Sequence, residues 1–366
     1  MATLPFTPAA EIRKEAAWMT GAALEVCPAC KRVFLIPEQK SKQSCPLCYQ
    51  AELVPQQSFI RQEAPEIILP AQLKVEDIRL ALTDFVKSVP LPVQDFSVQN
   101  LMDRAQLVWW PSWLVDADLQ GTWTGTMGFD YQVRTAKENF DDQGWQSKET
   151  LRTQTRYEAR QGTLDRHYDN IQVPALRSHE RRLEQIGNYE KKTAVYYQAG
   201  MLSQNSVQIP EIEPQELLEV AQTRLHNAAE QEIMQANEAQ HRQNIRFAGN
   251  YLNFNWTQYL LPLISTSYQD EKGSVHAVIL NGQTGKIYGR RLASIHRASH
   301  RTFGLMAIPL LAFVAALVIT LVAPAALPVN LVCGGVIVIF LALLALLPVL
   351  RAHHWNNREN KIEDFN

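Results

Sequence analysis

The sequence predicts an α+β protein in three parts: an N-terminal four-Cys zinc ribbon, a mixed antiparallel-β/helix cytoplasmic body, and a C-terminal two-helix transmembrane hairpin. Three observations carry this expectation. Two C-x-x-C pairs lie within the first 50 residues, the middle of the chain mixes strand and helix patterning, and two long uncharged runs lie near the C-terminus. The expected boundaries are 1–54 for the N-terminal segment and ribbon, 55–72 for a linker, 73–300 for the body, 301–351 for the hairpin and 352–366 for a cytoplasmic tail.

The charge balance excludes two function classes at once. With 35 Lys and Arg against 37 Asp and Glu in 366 residues, the chain is neither a basic nucleic-acid arm nor an acidic disordered tail. Its length allows one or two folded units beside a membrane part. Hydrophobicity is concentrated after Phe303, while the preceding chain is rich in Gln, Glu and Arg, so one solvent does not suit both parts. Residues 1–10 lack the basic stretch and continuous apolar run of a secretory signal, and Pro5 and Pro8 interrupt them.

Residues 303–323 read FGLMAIPLLAFVAALVITLVA and residues 331–350 read LVCGGVIVIFLALLALLPVL. At about 1.5 Å per residue each run crosses the roughly 30 Å hydrocarbon core as a helix. Pro324 and Pro328 shape a short turn between them, and Pro309 and Pro348 sit near the far ends. Arg290, Arg291, Arg297 and Arg301 precede the pair, Arg351 and Arg358 follow it, and the turn carries no basic residue. The positive-inside rule then places both termini in the cytoplasm, with the chain passing twice through the inner (plasma) membrane. Neither run holds a charge, so no ion path or proton relay is expected there, and the hairpin reads as an anchor.

Cys27, Cys30, Cys45 and Cys48 are spaced to give four thiolates to a tetrahedral Zn²⁺. Such a closed site contributes folding energy, not Lewis-acid chemistry. Redox-active pairs or two disulfides are the competing reading, disfavoured by a cytoplasmic setting. Lys31 and Tyr49 stand where ribbons commonly carry glycine, and Cys333 in the second span reads as a small packing residue.

Within the body, residues 75–86 have helical spacing of Ile78, Leu82, Phe85 and Val86. Residues 107–125 alternate aromatic and β-branched side chains with polar ones, and Pro111 points to an edge strand or a bulge. Mostly antiparallel strands are expected over 130–169, then a helix near 176–186. A longer helix is expected over 214–241, with Leu218, Ala221, Leu225 and Ala228 on one face and Pro214 in its first turn. Strands return over 250–268 and 274–280. Asn281-Gly282 and Thr284-Gly285 are read as supplying the positive φ angles of a turn before residues 286–288. The two β-rich stretches, each ending near a helix, are candidates for two similar units.

These motifs resemble a bacterial family of zinc-ribbon membrane proteins, labelled TFIIB-type zinc ribbon or "primosomal protein N'-like". The resemblance covers most of the chain at the level of pattern. It rests on the four cysteines, on Trp109-Trp110-Pro111-Ser112-Trp113, on Val173-Pro174-Ala175, and on Asn281-Gly282-Gln283-Thr284-Gly285-Lys286 before terminal apolar helices. Gly289-Arg290-Arg291-Leu292 departs from the family's Gly-x-x-Pro turn. A helicase activity is not expected, because the chain has no G-x-x-x-x-G-K-[ST] phosphate loop. The resemblance implies a non-enzymatic adaptor with structural zinc, recruiting a cytoplasmic or membrane-associated partner of phage-shock or flotillin type in a membrane-stress response. Nucleic-acid binding through the ribbon is the alternative.

Asp116 and Asp118 would share a strand face, and His167 lies two residues from Asp169; both pairs read as solvated polar surface ahead of acid-base machinery. His353 and His354 read as interfacial cover. Trp109, Trp110, Trp113, Trp123, Trp145 and Trp256 have the composition of a stacking platform, but their neighbours are of mixed charge, so core packing is expected.

Overall fold

A computed structural model describes residues 11–13, 18–19, 21–56, 58–60, 64–141, 144–322 and 330–361. The expected turn at Pro324 and Pro328 lies outside them. Before the body come β1 (Glu11–Arg13), β2 (Ala22–Val26), β3 (Val33–Pro37), β4 (Val54–Pro55), β5 (Ser58–Ile60) and β6 (Ile67–Ile68). The body continues with helices α1 (Val75–Lys87) and α2 (Val98–Asp103), the long strands β7 (Gln106–Asp141) and β8 (Gly144–Pro174), and α3 (His179–Ile186). Short strands β9 (Val195–Tyr196) and β10 (Ser206–Gln208) lead to α4 (Leu218–Ala236) and to strands β11 (His241–Gln269), β12 (Val275–Asn281) and β13 (Ile287–Gly289). Helices α5 (Ile295–Leu305), α6 (Ala307–Val322) and α7 (Gly335–Glu359) close the chain.

One mixed sheet holds most of this together, in the order β13-β12-β11-β7-β10-β3-β2-β4, with β8 beside β7 and β6 joining β11 to β9. Its centre is the antiparallel pair β7 and β11, in which Trp110 faces Leu261. Around that pair the two β-rich stretches interlock. β6 runs parallel to β11 at Ile67↔Tyr259 and Ile68↔Leu260, while β10 runs parallel to β7 at Ser206↔Val108 and Val207↔Trp109. Pairing with the next strand begins at Ser112↔Pro174 on β7 and at Leu263↔Asn281 on β11. One shift of 151 residues carries Val108, Trp109 and Ser112 onto Tyr259, Leu260 and Leu263, so the two halves present the same sequence of partners. The helices cross over as well: α1 buries Leu82 and Phe85 against Tyr268 and Val278 of β11 and β12, and α4 buries Leu225 and Ala229 with Val115 and Leu119 of β7.

This arrangement explains why Pro111 sits in a central strand instead of the expected edge. Partner β10 covers β7 at Val108 and Trp109, and β8 takes over only from Ser112, so the missing N–H of Pro111 falls at the changeover. Pro262 occupies the matching changeover between β6 and β12. Across β7 and β11 Gly121 opposes Gly249, and a Cβ on Gly121 would run into the Ala248 carbonyl and the Gly249 Cα.

The strands over 107–125 and 250–268 are thus observed, longer than expected at both β7 and β11. The helix expected over 214–241 stops at Ala236, after a 3₁₀ turn at Pro214–Leu217, and His241 already belongs to β11. Its buried face runs through Ala221, Leu225, Ala229 and Ile233. In the turn after β12, only Gly285 has positive φ, at 74°. Gly282 serves a different need, because a Cβ there would strike Pro262. Strands β2, β3 and β4 of the cysteine-bearing segment belong to the body's own sheet, whereas β1 pairs with β5 in a separate two-stranded sheet; the expected linker 55–72 supplies β5 and β6.

Two C-terminal helices, Ile295–Val322 and Val332–Glu359, are long and apolar enough to cross a membrane, and only 6% of each apolar window is buried. Their polar ends dock on the body. Arg291 donates from its backbone and side chain to Glu359, each at 3.0 Å; the Trp355 indole donates to the Arg291 carbonyl; and Asn356 bonds the Ala293 backbone in both directions. Gly121→Ala is expected to force β7 and β11 apart and to cost about 1–3 kcal/mol, read as a lowered thermal midpoint of the near-UV tryptophan signal.

Candidate metal centre

The turns after β2 and before β4 bring Cys27, Cys30, Cys45 and Cys48 into one cluster, with all four Sγ atoms within 4.8 Å of one another. None is in a disulfide. The closest separations are 3.5 Å for Cys27 to Cys48 and 3.8 Å for Cys30 to Cys45. Thiolates about 2.3 Å from a tetrahedral ion lie about 3.8 Å apart, so the donor set fits a divalent metal. Backbone geometry builds the two halves alike. Lys31 N–H donates to the Cys27 carbonyl and Tyr49 N–H to the Cys45 carbonyl, while Cys27 N–H reaches the Arg32 carbonyl and Cys45 N–H the Ala51 carbonyl.

The residues following the second cysteine of each pair are both left-handed: Lys31 has φ 60° and Tyr49 φ 56°. A glycine adopts that conformation freely, whereas other L-residues lose roughly 1–2 kcal/mol to Cβ crowding. Tyr49 has a compensating contact. Its hydroxyl donates to Ser265 Oγ at 3.1 Å and accepts from Gln106 at 3.3 Å, and burial pushes its pKa up to about 12. The second turn is thereby fixed to β11 and β7, while Lys31 stays exposed.

The cluster is part of the core. Cys27 and Cys45 are wholly buried among Phe34, Trp110, Tyr259 and Leu261. Hydrogen bonds from Cys45 and Cys48 hold the Cys30 pKa far below the usual thiol value, helped by Arg32, while those two thiols are pushed up. Arg32, in the polar stretch between the two cysteine pairs, is buried, and so is Arg182. Four thiolates on a divalent ion would leave two negative charges, which these two guanidiniums would offset. Burial lowers Arg182 to about 9, and neighbouring Arg32 adds to the effect. Arg182 lies 5.2 Å over the Trp110 ring and donates to Gln208 Oε1 at 3.0 Å. His179, on the preceding turn of α3, also stacks on Trp110, and burial with the Arg224, Arg182 and Lys191 charges holds it neutral, with a pKa near about 3.

Asn281 ties α3 to this core. Its Nδ2 donates to the carbonyls of Ile186, Gly187 and Asn188, and its Oδ1 accepts from the backbone of Gln283 and Thr284. Gln283 in turn bonds Glu190 in both directions. The Asn281-to-Lys286 motif is therefore a clamp on residues 186–190.

The remaining candidates separate cleanly. Asp116, Asp118, His167 and Asp169 do converge, on exposed backbone where the register of β7 shifts against both β8 and β11. His167 Nδ1 lies 2.7 Å from Asp118 Oδ1, whose other oxygen accepts from Asn253 at 2.6 Å. Asp116 accepts from the Asn170 backbone at 2.8 Å and from Asn255 at 3.2 Å. Asn253 and His167 lower the pKa of Asp118, Asp118 raises that of His167, and a hydrogen bond shared with Asp116 raises that of Asp169. These bonds hold a double bulge in place. Trp109, Trp110, Trp113, Trp123 and Trp256 are core residues, but Trp145 is 74% exposed. His353 and His354 are exposed on α7, and Cys333 is exposed on the apolar helix pair.

No family model, curated protein or solved structure matches the chain. The four-cysteine cluster stands on its own geometry. Lys31→Gly is expected to relieve left-handed strain without removing a contact and to stabilise the fold by about 1 kcal/mol, measured as a rise in thermal midpoint of the metal-loaded protein.

Proposed function

We propose that the chain is a non-catalytic, membrane-anchored zinc-ribbon adaptor that brings a cytoplasmic protein to the bilayer, in line with the membrane-stress role implied by the family resemblance. In this reading the ion is structural Zn²⁺, because a closed four-thiolate set leaves no position for substrate. The apolar helices form a two-pass anchor in the inner (plasma) membrane with both termini cytoplasmic, and they are lipid-exposed along their length.

The observation that carries the adaptor reading is the outer part of the β7–β8 hairpin. Strand β11 leaves β7 after Gly128↔His241, and β7 and β8 continue alone from Phe129↔Arg156 to Asp141↔Gly144. Among the described residues no third strand covers this arm, which at about 3.3 Å per residue is roughly 40 Å long. Threonine and aromatic pairs stiffen it: Thr135 and Thr150 hydroxyls meet at 3.1 Å, and the Phe140 and Trp145 rings at 5.3 Å. A two-stranded ribbon is marginally stable in water, and this one exposes Phe140, Trp145 and Leu151 together with two open backbone edges. A protein segment adding as a strand satisfies both features.

The arm is a better docking element than the cysteine turns, because Pro46, Leu47 and Tyr49 are committed to the body. Recruitment is tested by crosslinked pull-down from native membranes, comparing the intact chain with Phe140→Ser/Trp145→Ser. The expected result is one zinc per chain in both forms, with a specific protein captured by the intact chain and at least tenfold less by the variant. Equal capture by both forms, or enrichment of nucleic acid that is released steeply by salt, would overturn the adaptor reading.

A further inference from the structure

Between the base of the helix pair and the body lies a groove of about 380 Å³. Its walls change character along its depth. Arg301 of α5 and Arg351 of α7 stand at one end, and Leu305, Leu344 and Leu347 line the rest. The loop Pro90-Leu91-Pro92 closes one side, and beyond it a second cavity is lined by Arg297, His300 and again Arg301. No acidic side chain lines either space, and among the described residues no carboxylate pairs with Arg301 or Arg351.

The loop is held open at some cost. Leu91 has φ 58°, a left-handed conformation in a bulky residue between two prolines. It is kept there by Ser294 N–H donating to the Leu91 carbonyl at 2.7 Å, and by Arg297 donating to the Pro92 carbonyl at 3.2 Å. Both holding groups belong to the segment that begins the helix pair, so the loop and the helix base form one rigid rim. In the anchored orientation, on which this inference rests, that rim lies at headgroup depth. The leucines lie at the start of the hydrocarbon.

We infer that this groove binds one anionic phospholipid from the bilayer, with its phosphate between Arg301 and Arg351 and an acyl chain along Leu305, Leu344 and Leu347. Charge selects the headgroup, because two guanidiniums without a local carboxylate beside apolar walls favour an anion that carries its own hydrocarbon. A free phosphate satisfies only the arginines. A zwitterionic lipid satisfies the leucines but brings a cation into a groove that already holds Arg301 and Arg351, with Arg297 and His300 in the neighbouring cavity.

The full chain, purified in neutral detergent, is offered equal amounts of phosphatidylglycerol and phosphatidylcholine, and retained lipid is counted by native mass spectrometry. The wild type is expected to prefer phosphatidylglycerol by roughly 25-fold, with a loss of about 5-fold in Arg301→Gln or Arg351→Gln and no preference in the double variant. Arg134→Gln/Arg152→Gln on the arm serves as the charge-matched control and is expected to retain the full preference. An unchanged preference in the double variant overturns the proposal, and so does complete displacement of the lipid by millimolar inorganic phosphate. Flotation with pure phosphatidylcholine vesicles after an alkaline wash separates the two levels of the argument. If neither wild type nor variant floats, the anchor reading fails and the groove falls with it. If both float and lipid selection is unaltered, only the groove is overturned.

Discussion

Everything in this protein hangs on the backbone pairing of β7 with β11. A strand buried on both sides must find partners for every N–H and C=O, and here each long strand recruits a short parallel strand from the other half before turning into its own hairpin. The exchange fixes the remaining architecture. It places a proline at each changeover, sends α1 and α4 across to cover the opposite hairpin, and leaves Trp110 and Leu261 facing each other at the middle. Separating the two halves would strip short strands and helices from both.

The four-cysteine cluster is fitted into that frame, and its chemistry follows from the fit. Strand β3 joins β10, β10 joins β7, and Tyr49 bonds across to β11, so the thiolates sit beside the central pair. A buried tetrathiolate is tolerable only if its excess negative charge is met locally, which accounts for two guanidiniums where aliphatic side chains would otherwise pack. Left-handed Lys31 and Tyr49 show what the turns tolerate to point four sulfurs at one position. The same sheet carries the bare β7–β8 arm, and through β12 and β13 it reaches the helix pair.

What was legible in the sequence is what local spacing determines. Cys27, Cys30, Cys45 and Cys48 announce a cluster because a C-x-x-C pair needs nothing from the rest of the chain to present two sulfurs, and the apolar runs announce themselves by length. Pro111 misled because its missing N–H is harmless only at a changeover created by residues about 100 positions away. The antiparallel strands expected over 130–169 are there, but that they stand alone as an arm was hidden for a related reason. With no buried face, residues 129–156 carry no period-2 apolar signal, and Trp145 looked like one more core tryptophan. The burial of Arg32 and Arg182 was not legible, because the charge they would offset arises only where the two cysteine turns meet. The Asn281 motif was visible as a turn, yet its grip on α3 depends on a helix nearly a hundred residues earlier.

Hydrogen exchange with and without a chelator tests whether one continuous sheet ties the four-cysteine cluster to the β7–β11 core. Chelation is expected to expose amides well beyond residues 27–48, through β3 and β10 to the Val108–Trp110 and Tyr259–Leu261 segments. Loss of protection confined to the cysteine turns, with the central pair unchanged, would contradict it.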